Sequence, residues 1–181
     1  MAMTTRMTKP TPDSGSPRTP VVYGFLDTPL GRLRLIAKGK HLCGVHGGIQ
    51  VDQGMSMQAE EIDVQEHPVL AEAAKQLHSY MGGQLDQFDL PLMPSLGSHF
   101  DRKIWGVLRD IPYAQTTTYK AIAEQAGHPK AFRAVGVAVG RNPWLIVIPC
   151  HRVLGHNGHL VGFSAGLSLK EQLLDLELSH R

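Results

Sequence analysis

The chain has 181 residues, 42% of them hydrophobic and 19% charged, with a formal net charge of +2. That length gives one large domain or two small ones with real cores, and the composition is that of a soluble globular body rather than a disordered chain. No apolar run approaches the roughly 20 residues of a membrane-spanning helix, and the first residues lack the apolar stretch of about 7–15 residues that marks a secretory signal.

Residues 1–20 are rich in Thr, Pro and Ser and carry Arg6, Lys9 and Arg18 against one acid, Asp13. They read as a disordered tail, with a transit peptide as the alternative. Residues 21–26 are β-rich, and Thr28-Pro29-Leu30-Gly31 is a turn. Leu33 and Leu35 then alternate with Arg32 and Arg34, as in a returning strand. A second turn at Lys38-Gly39-Lys40 leads to a third strand around Leu42 and Val45, which predicts an antiparallel meander. Val69, Leu70, Ala73, Ala74, Leu77, Tyr80 and Met81 have helical spacing and form one apolar face. Residues 91–97 read as a linker. Helices are expected around Phe100, Ile104, Val107 and Leu108, then over residues 118–126, and again from Lys130 after the break at Gly127-His128-Pro129. The run at residues 144–148, held between Pro143 and Pro149, is too short for a helix and must be buried. A last helix covers residues 167–178, with Leu169, Leu173, Leu174 and Leu176 on its apolar side.

The helix pair over residues 118–140 is a helix-turn-helix candidate, and such pairs also pack ordinary small α domains. Its second helix contains Gly136 and Gly140. Each costs about 1 kcal/mol relative to Ala. Glycine is tolerated where another backbone or a nucleic acid groove comes close, so the pattern leaves both readings open. Residues 102–152 hold eight bases and two acids, whereas residues 51–90 hold eight acids and one base. A basic segment of this kind suits a phosphate backbone, and it equally describes a solvated surface.

Cys43 and Cys150 are the only cysteines, which favours a reducing compartment. His41, Cys43 and His46 do not have zinc-site spacing, so no metal is expected. Cys150 sits in Pro149-Cys150-His151-Arg152, directly after the buried run. A neighbouring base or cation turns a thiol into a nucleophile, and His151 and Arg152 are candidates for that role. A lone cysteine is otherwise a small buried hydrophobe.

Ile148-Pro149-Cys150-His151-Arg152-Val153 resembles the active-site signature of the O6-alkylguanine-DNA alkyltransferases. The likeness runs over about residues 21–181 and continues through Arg133-Ala134-Val135-Gly136, Asn142-Pro143, Gly162-Phe163-Ser164-Ala165-Gly166 and residues 170–177. It implies an α+β fold: a tail over 1–20, an N-terminal α/β domain with a small antiparallel sheet over 21–93, and a C-terminal helical domain with a helix-turn-helix over 97–181. It also implies a cytoplasmic monomer (nuclear in a eukaryote) that uses no cofactor and no membrane. Such a protein binds double-stranded DNA in the minor groove and flips the alkylated guanine, or an O4-alkylthymine, out of the stack. It then moves the alkyl group irreversibly to its own cysteine.

Carried over residue by residue, the resemblance makes Cys150 the acceptor and His151 the base that draws its proton through a water. Glu177 is the carboxylate that orients His151, and Asn142 is the hinge before the active-site segment. Tyr119 gives a proton to the departing guanine. Arg133 fills the gap left by the flipped base, with Ala134 and Gly136 beside it against the DNA, and Ser164 contacts the guanine oxygen. The chain departs from the family pattern at His99, where Pro is frequent, at Ala114 and Lys120, where Gly is usual, and at Ala165, where Gly is common. A non-repairing lesion-binding protein of the same type is the competing reading. A cysteine hydrolase built on Cys150, His151 and Glu177 is a further one.

Overall fold

The computed structural model describes residues 19–48 and 59–181; most of the expected tail lies outside the described residues. Strands β1 (Val21–Thr28) and β2 (Gly31–Lys38) pair antiparallel around a two-residue turn at Pro29 and Leu30. Gly31 closes that turn at φ 103°, a conformation open to glycine. Strand β3 (His41–His46) adds antiparallel to β2, with a register shift that leaves Cys43 outside the pairing. The meander is therefore as expected, but the sheet is mixed rather than purely antiparallel. A fourth strand, β4 (Ala59–Glu61), pairs parallel with β1 and gives the order β3-β2-β1-β4. Its sequence, Ala-Glu-Glu, has no apolar alternation to announce it. The backbone ladder holds it, together with the Tyr23 hydroxyl donating to Glu61 Oε2 at 2.9 Å.

Helix α1 (Pro68–Met81) begins with Pro at its first turn and buries the seven apolar-face residues against β1, β2 and β3. The second half holds α2 (His99–Arg109), α3 (Tyr119–Gln125), α4 (Phe132–Gly140) and α5 (Leu167–Ser179). A short parallel pair, β5 (Thr117–Thr118) and β6 (Val153–Leu154), sits among them. Ser98 and Asp101 form a reciprocal capping box on α2, and the Thr118 side chain caps α3. The Trp105 indole donates to Ala138 O at 2.8 Å and ties α2 to α4. No helix among the described residues is long and apolar enough to cross a membrane.

Strand β3 joins the two halves. Leu42 bonds to Pro91 O at 2.8 Å and to Met93 N at 2.9 Å, so the stretch read as a linker is fixed to the sheet in its first half. Val45 bonds in the same way to Pro143 O and Leu145 N, and the Trp144 indole donates to Leu42 O at 2.9 Å. The buried apolar residues of both halves form one cluster. Residues 144–148 are buried as expected, yet they are not a strand. After a single bridge from Trp144 to Val45 the chain turns through Ile146 at φ 72°, which a β-branched residue rarely adopts.

Candidate active site

The turn after Ile146 delivers Cys150 to the start of a 3-10 turn, Cys150–Arg152, with Pro149 before it. All three residues of the turn are buried. The Asn142 amide spans the whole approach: Nδ2 donates to Ile148 O at 2.8 Å and Cys150 Sγ at 3.1 Å, while Oδ1 accepts from Trp144 N at 3.0 Å. One side chain at the end of α4 thus fixes both the turn and the sulfur. Burial pushes the Cys150 thiol above its ordinary value. The Asn142 hydrogen bond, the charge of Lys170 and the backbone N–H groups of Cys150 and His151 pull it back down.

His151 is fully buried, and its Nε2 lies 2.8 Å from Glu177 Oε1. A carboxylate only accepts, so Nε2 carries the hydrogen and Nδ1 keeps a lone pair. Nδ1 has no hydrogen bond to the described residues. Burial lowers the His151 pKa and outweighs the opposing pull of Glu177, so the ring is neutral near pH 7 and can take a proton. Glu177 also accepts Tyr80 OH at 2.6 Å, Ala114 N at 3.0 Å, and the Arg152 fork through Nε at 3.1 Å and Nη2 at 2.8 Å. Burial alone would raise its pKa. The hydrogen bonds from His151 and Arg152, with that from Tyr80, hold it instead at about 2.

Several of these partners are not legible in the sequence. Tyr80 reads as one more core position of α1, yet its hydroxyl crosses to α5. Arg152, expected to favour the thiolate, is committed to Glu177 and to Ile111 O at 2.6 Å. The cation that acts on Cys150 is Lys170, buried on α5 and donating to Val153 O at 2.6 Å and Val161 O at 2.8 Å. Burial lowers its pKa to about 8 against the opposing pull of Cys150. The buried face of α5 is therefore Leu169, Lys170, Leu173 and Glu177, and Leu174 and Leu176 are only half-buried. Two charged groups replace the expected leucines, and each is hydrogen-bonded to buried partners.

An open groove of about 640 Å³ runs between α4 and residues 161–164. Tyr119, Arg133, Gly136 and Ser164 all line it. The Tyr119 hydroxyl donates to Gly162 O at 3.0 Å. Its pKa is raised by burial first and then by the charge of Cys150. Arg133 and Ala134 are exposed on α4, whose buried face is Val135, Ala138 and Val139. A Cβ on Gly136 would meet only the Tyr119 ring, at 3.9 Å, and one on Gly140 would meet nothing. Neither glycine is there to let another part of this chain come close. Gly48, by contrast, has φ 57° and lies so near the pocket segment that a Cβ would run into the Ala165 carbonyl.

A larger cleft of about 710 Å³ lies behind Pro149, lined by Arg109, Tyr113, Ile146 and Arg152 among others. Cys150 lines neither this cleft nor the α4 groove, and of the two spaces Tyr119 lines only the groove. The His41, Cys43 and His46 trio is not gathered into a site. His46 Nδ1 lies 2.9 Å from the Arg34 guanidinium, and the Cys43 thiol points to His41 O.

Residues 99–179 match the family described as 6-O-methylguanine DNA methyltransferase, DNA binding domain, and residues 21–94 match its ribonuclease-like domain. A methylated-DNA–protein-cysteine methyltransferase of Methanosarcina barkeri is 43% identical over 158 residues, covering 86% of this chain and 96% of that protein. Its counterpart in Mycolicibacterium paratuberculosis is 42% identical over 161 residues, covering 88% and 94%. The crystal structure of Mycobacterium tuberculosis OGT in complex with DNA superposes with a TM-score of 0.79 at 36% identity, covering 88% of this chain and 94% of that one. With one family matched across both halves and relatives aligned along nearly their full length, the chain belongs to the 6-O-methylguanine DNA methyltransferase family.

Proposed function

We propose that this protein repairs double-stranded DNA by moving the methyl group of O6-methylguanine, and of other O6-alkylguanines and O4-alkylthymine, to Cys150. The observation that carries the reading is the pairing, in one buried turn, of a thiol held by Asn142 with a neutral imidazole held by Glu177. Residues 21–93 form the supporting unit and residues 97–181 the unit that binds DNA and accepts the alkyl group. The protein acts as a monomer without cofactor or membrane, in the compartment that holds the DNA.

The exposed face of α4 enters the minor groove. Arg133 occupies the space of the flipped nucleotide, and Ala134, Gly136 and Gly140 keep the helix surface low. The extruded base lies in the groove beside Tyr119 and Ser164. Cys150 Sγ attacks the methyl carbon, the S–C bond forms, and the C–O6 bond breaks. The thiol proton passes through a water to His151 Nδ1, and Glu177 stabilises the imidazolium. Guanine leaves as a neutral base because Tyr119 exchanges its bond to Gly162 O for the ring nitrogen and delivers a proton there. Ser164 contacts the guanine oxygen. Lys170 and Asn142 steady the thiolate as it develops.

Cys150→Ser abolishes transfer from methylated duplex DNA while leaving DNA affinity within a few-fold, because the groove contacts lie on α4. Transfer at an undiminished rate in that variant would exclude the mechanism.

A further inference from the structure

The outer face of α4 carries two large apolar side chains left half in the open. Phe132 and Val137 are each 52% exposed, and both line the groove beside Arg133. Phe132 is the first residue of the helix and Arg133 the second, so the ring and the guanidinium project from the same end. A solvent-facing phenylalanine contributes little to folding. It is explained when a partner covers it, and the charge of the surroundings says which partner. Lys120, Lys130, Arg133 and Arg141 are all exposed on α3, on α4 or beside them; Lys120 is paired with Glu124 at 3.8 Å and Arg141 with Asp101 at 3.9 Å. An apolar ring next to Arg133, on a part of the fold with further exposed cations, fits a base stack flanked by phosphates.

We propose that Phe132 is a second wedge, which stacks on the base next to the lesion and holds the duplex open together with Arg133. The inference rests on the reading above that α4 enters the DNA groove. Arg133 fills the place of the flipped nucleotide, but its flexible stem presents little area to the neighbouring base once that base has lost its stacking partner. A rigid aromatic face one residue earlier supplies this area, and base–aromatic stacks tolerate any sequence. Phe132 is thus a positioning residue. It acts on the opening of the duplex and touches neither the sulfur nor the guanine that reacts.

The test compares the wild-type protein with Phe132→Ala and Phe132→Trp. The substrates are a duplex containing O6-methylguanine, with 2-aminopurine as the neighbouring base, and free O6-benzylguanine. Phe132→Ala should lower the single-turnover rate on the duplex roughly tenfold, the scale of one lost base–aromatic stack. It should also leave the 2-aminopurine unquenched on binding and spare the reaction with the free base. Phe132→Trp should restore both the rate and the quench. An unchanged duplex rate in Phe132→Ala overturns the proposal, and so does an equal loss on the free base, which would place the ring in support of the pocket. If the wild-type protein failed to act on the duplex at all, the functional reading itself would fall. A wild-type protein that repairs the duplex no faster than Phe132→Ala removes only the wedge.

Discussion

Glu177 is the residue on which the reactive centre depends. It sits on the last helix, accepts from a tyrosine 97 positions earlier, and is gripped by the fork of Arg152, so one carboxylate fixes parts of α1, α5 and the cysteine turn at once. Its pKa of about 2, against 4.5 for an unperturbed group, makes this stabilisation dependent on pH. The contribution is complete above pH 4.5 and is lost as the pH falls towards 2, because the unfolded state then takes up the proton first. Acid titration of wild-type stability should show a loss on the order of 3 kcal/mol across this window. Glu177→Gln should flatten that slope while lowering stability at neutral pH, since the Arg152 charge stays buried without its partner. An unaltered slope would show that Glu177 is not the titrating group.

Ala114 offers a second test at this scale. It holds φ 55° while its N–H reaches Glu177. The left-handed conformation costs a non-glycine residue roughly 1–2 kcal/mol, and the greater freedom of glycine in the unfolded chain returns part of this. Ala114→Gly should therefore raise the Tm by up to about 3 °C. A fall would mean that the backbone here is not strained. Cys150, His151 and Glu177 were legible in the sequence through a resemblance. Tyr80 and Lys170 were not: Tyr80 is disguised by the apolar spacing of its helix, and Lys170 is a charge on the buried side of one. Their partners come from distant segments, which no local pattern encodes.

Helix α4 shows how an element can be shaped for something other than its own stability. Its inner face packs on α2 and α3, while the outer one has two glycines whose Cβ positions are nearly or wholly free of neighbours. Gly136→Ala should therefore gain about 0.5–1 kcal/mol of helix stability. The same methyl group would stand between α4 and the floor of the DNA groove, so affinity for duplex DNA should fall while reaction with a free alkylated base persists. Unchanged DNA affinity would return the glycine to a structural role. The sequence left this choice open because close packing and groove binding use the same residue. The space around each Cβ decides against packing within the chain. Other elements were visible in proportion to their patterning: α1 and the β1–β3 meander had clear periodicity, whereas β4 has none. Residues 144–148 read as a buried run too short for a helix, and the turn they make at the positive φ of Ile146 has no local pattern to announce it.

Across the whole molecule, the basic segment of the sequence lies almost entirely at the surface. Of the eight bases between residues 102 and 152, all but Arg152 are exposed, and the exception is the one that serves Glu177. Both halves share one core, and Tyr80 brings the first half directly into the reactive centre. Alkyl transfer to sulfur also has a consequence for the molecule as a unit. A thioester can be hydrolysed, but a thioether has no carbonyl for water to attack, and no group around Cys150 is placed to cleave it. Each molecule should therefore act once. Intact-mass analysis after incubation with excess methylated duplex tests this most directly. The protein should gain one methyl group in place of a hydrogen, located at Cys150, and repair should reach a plateau at one lesion per protein molecule. Continued repair beyond one equivalent, with Cys150 unmodified, would contradict it.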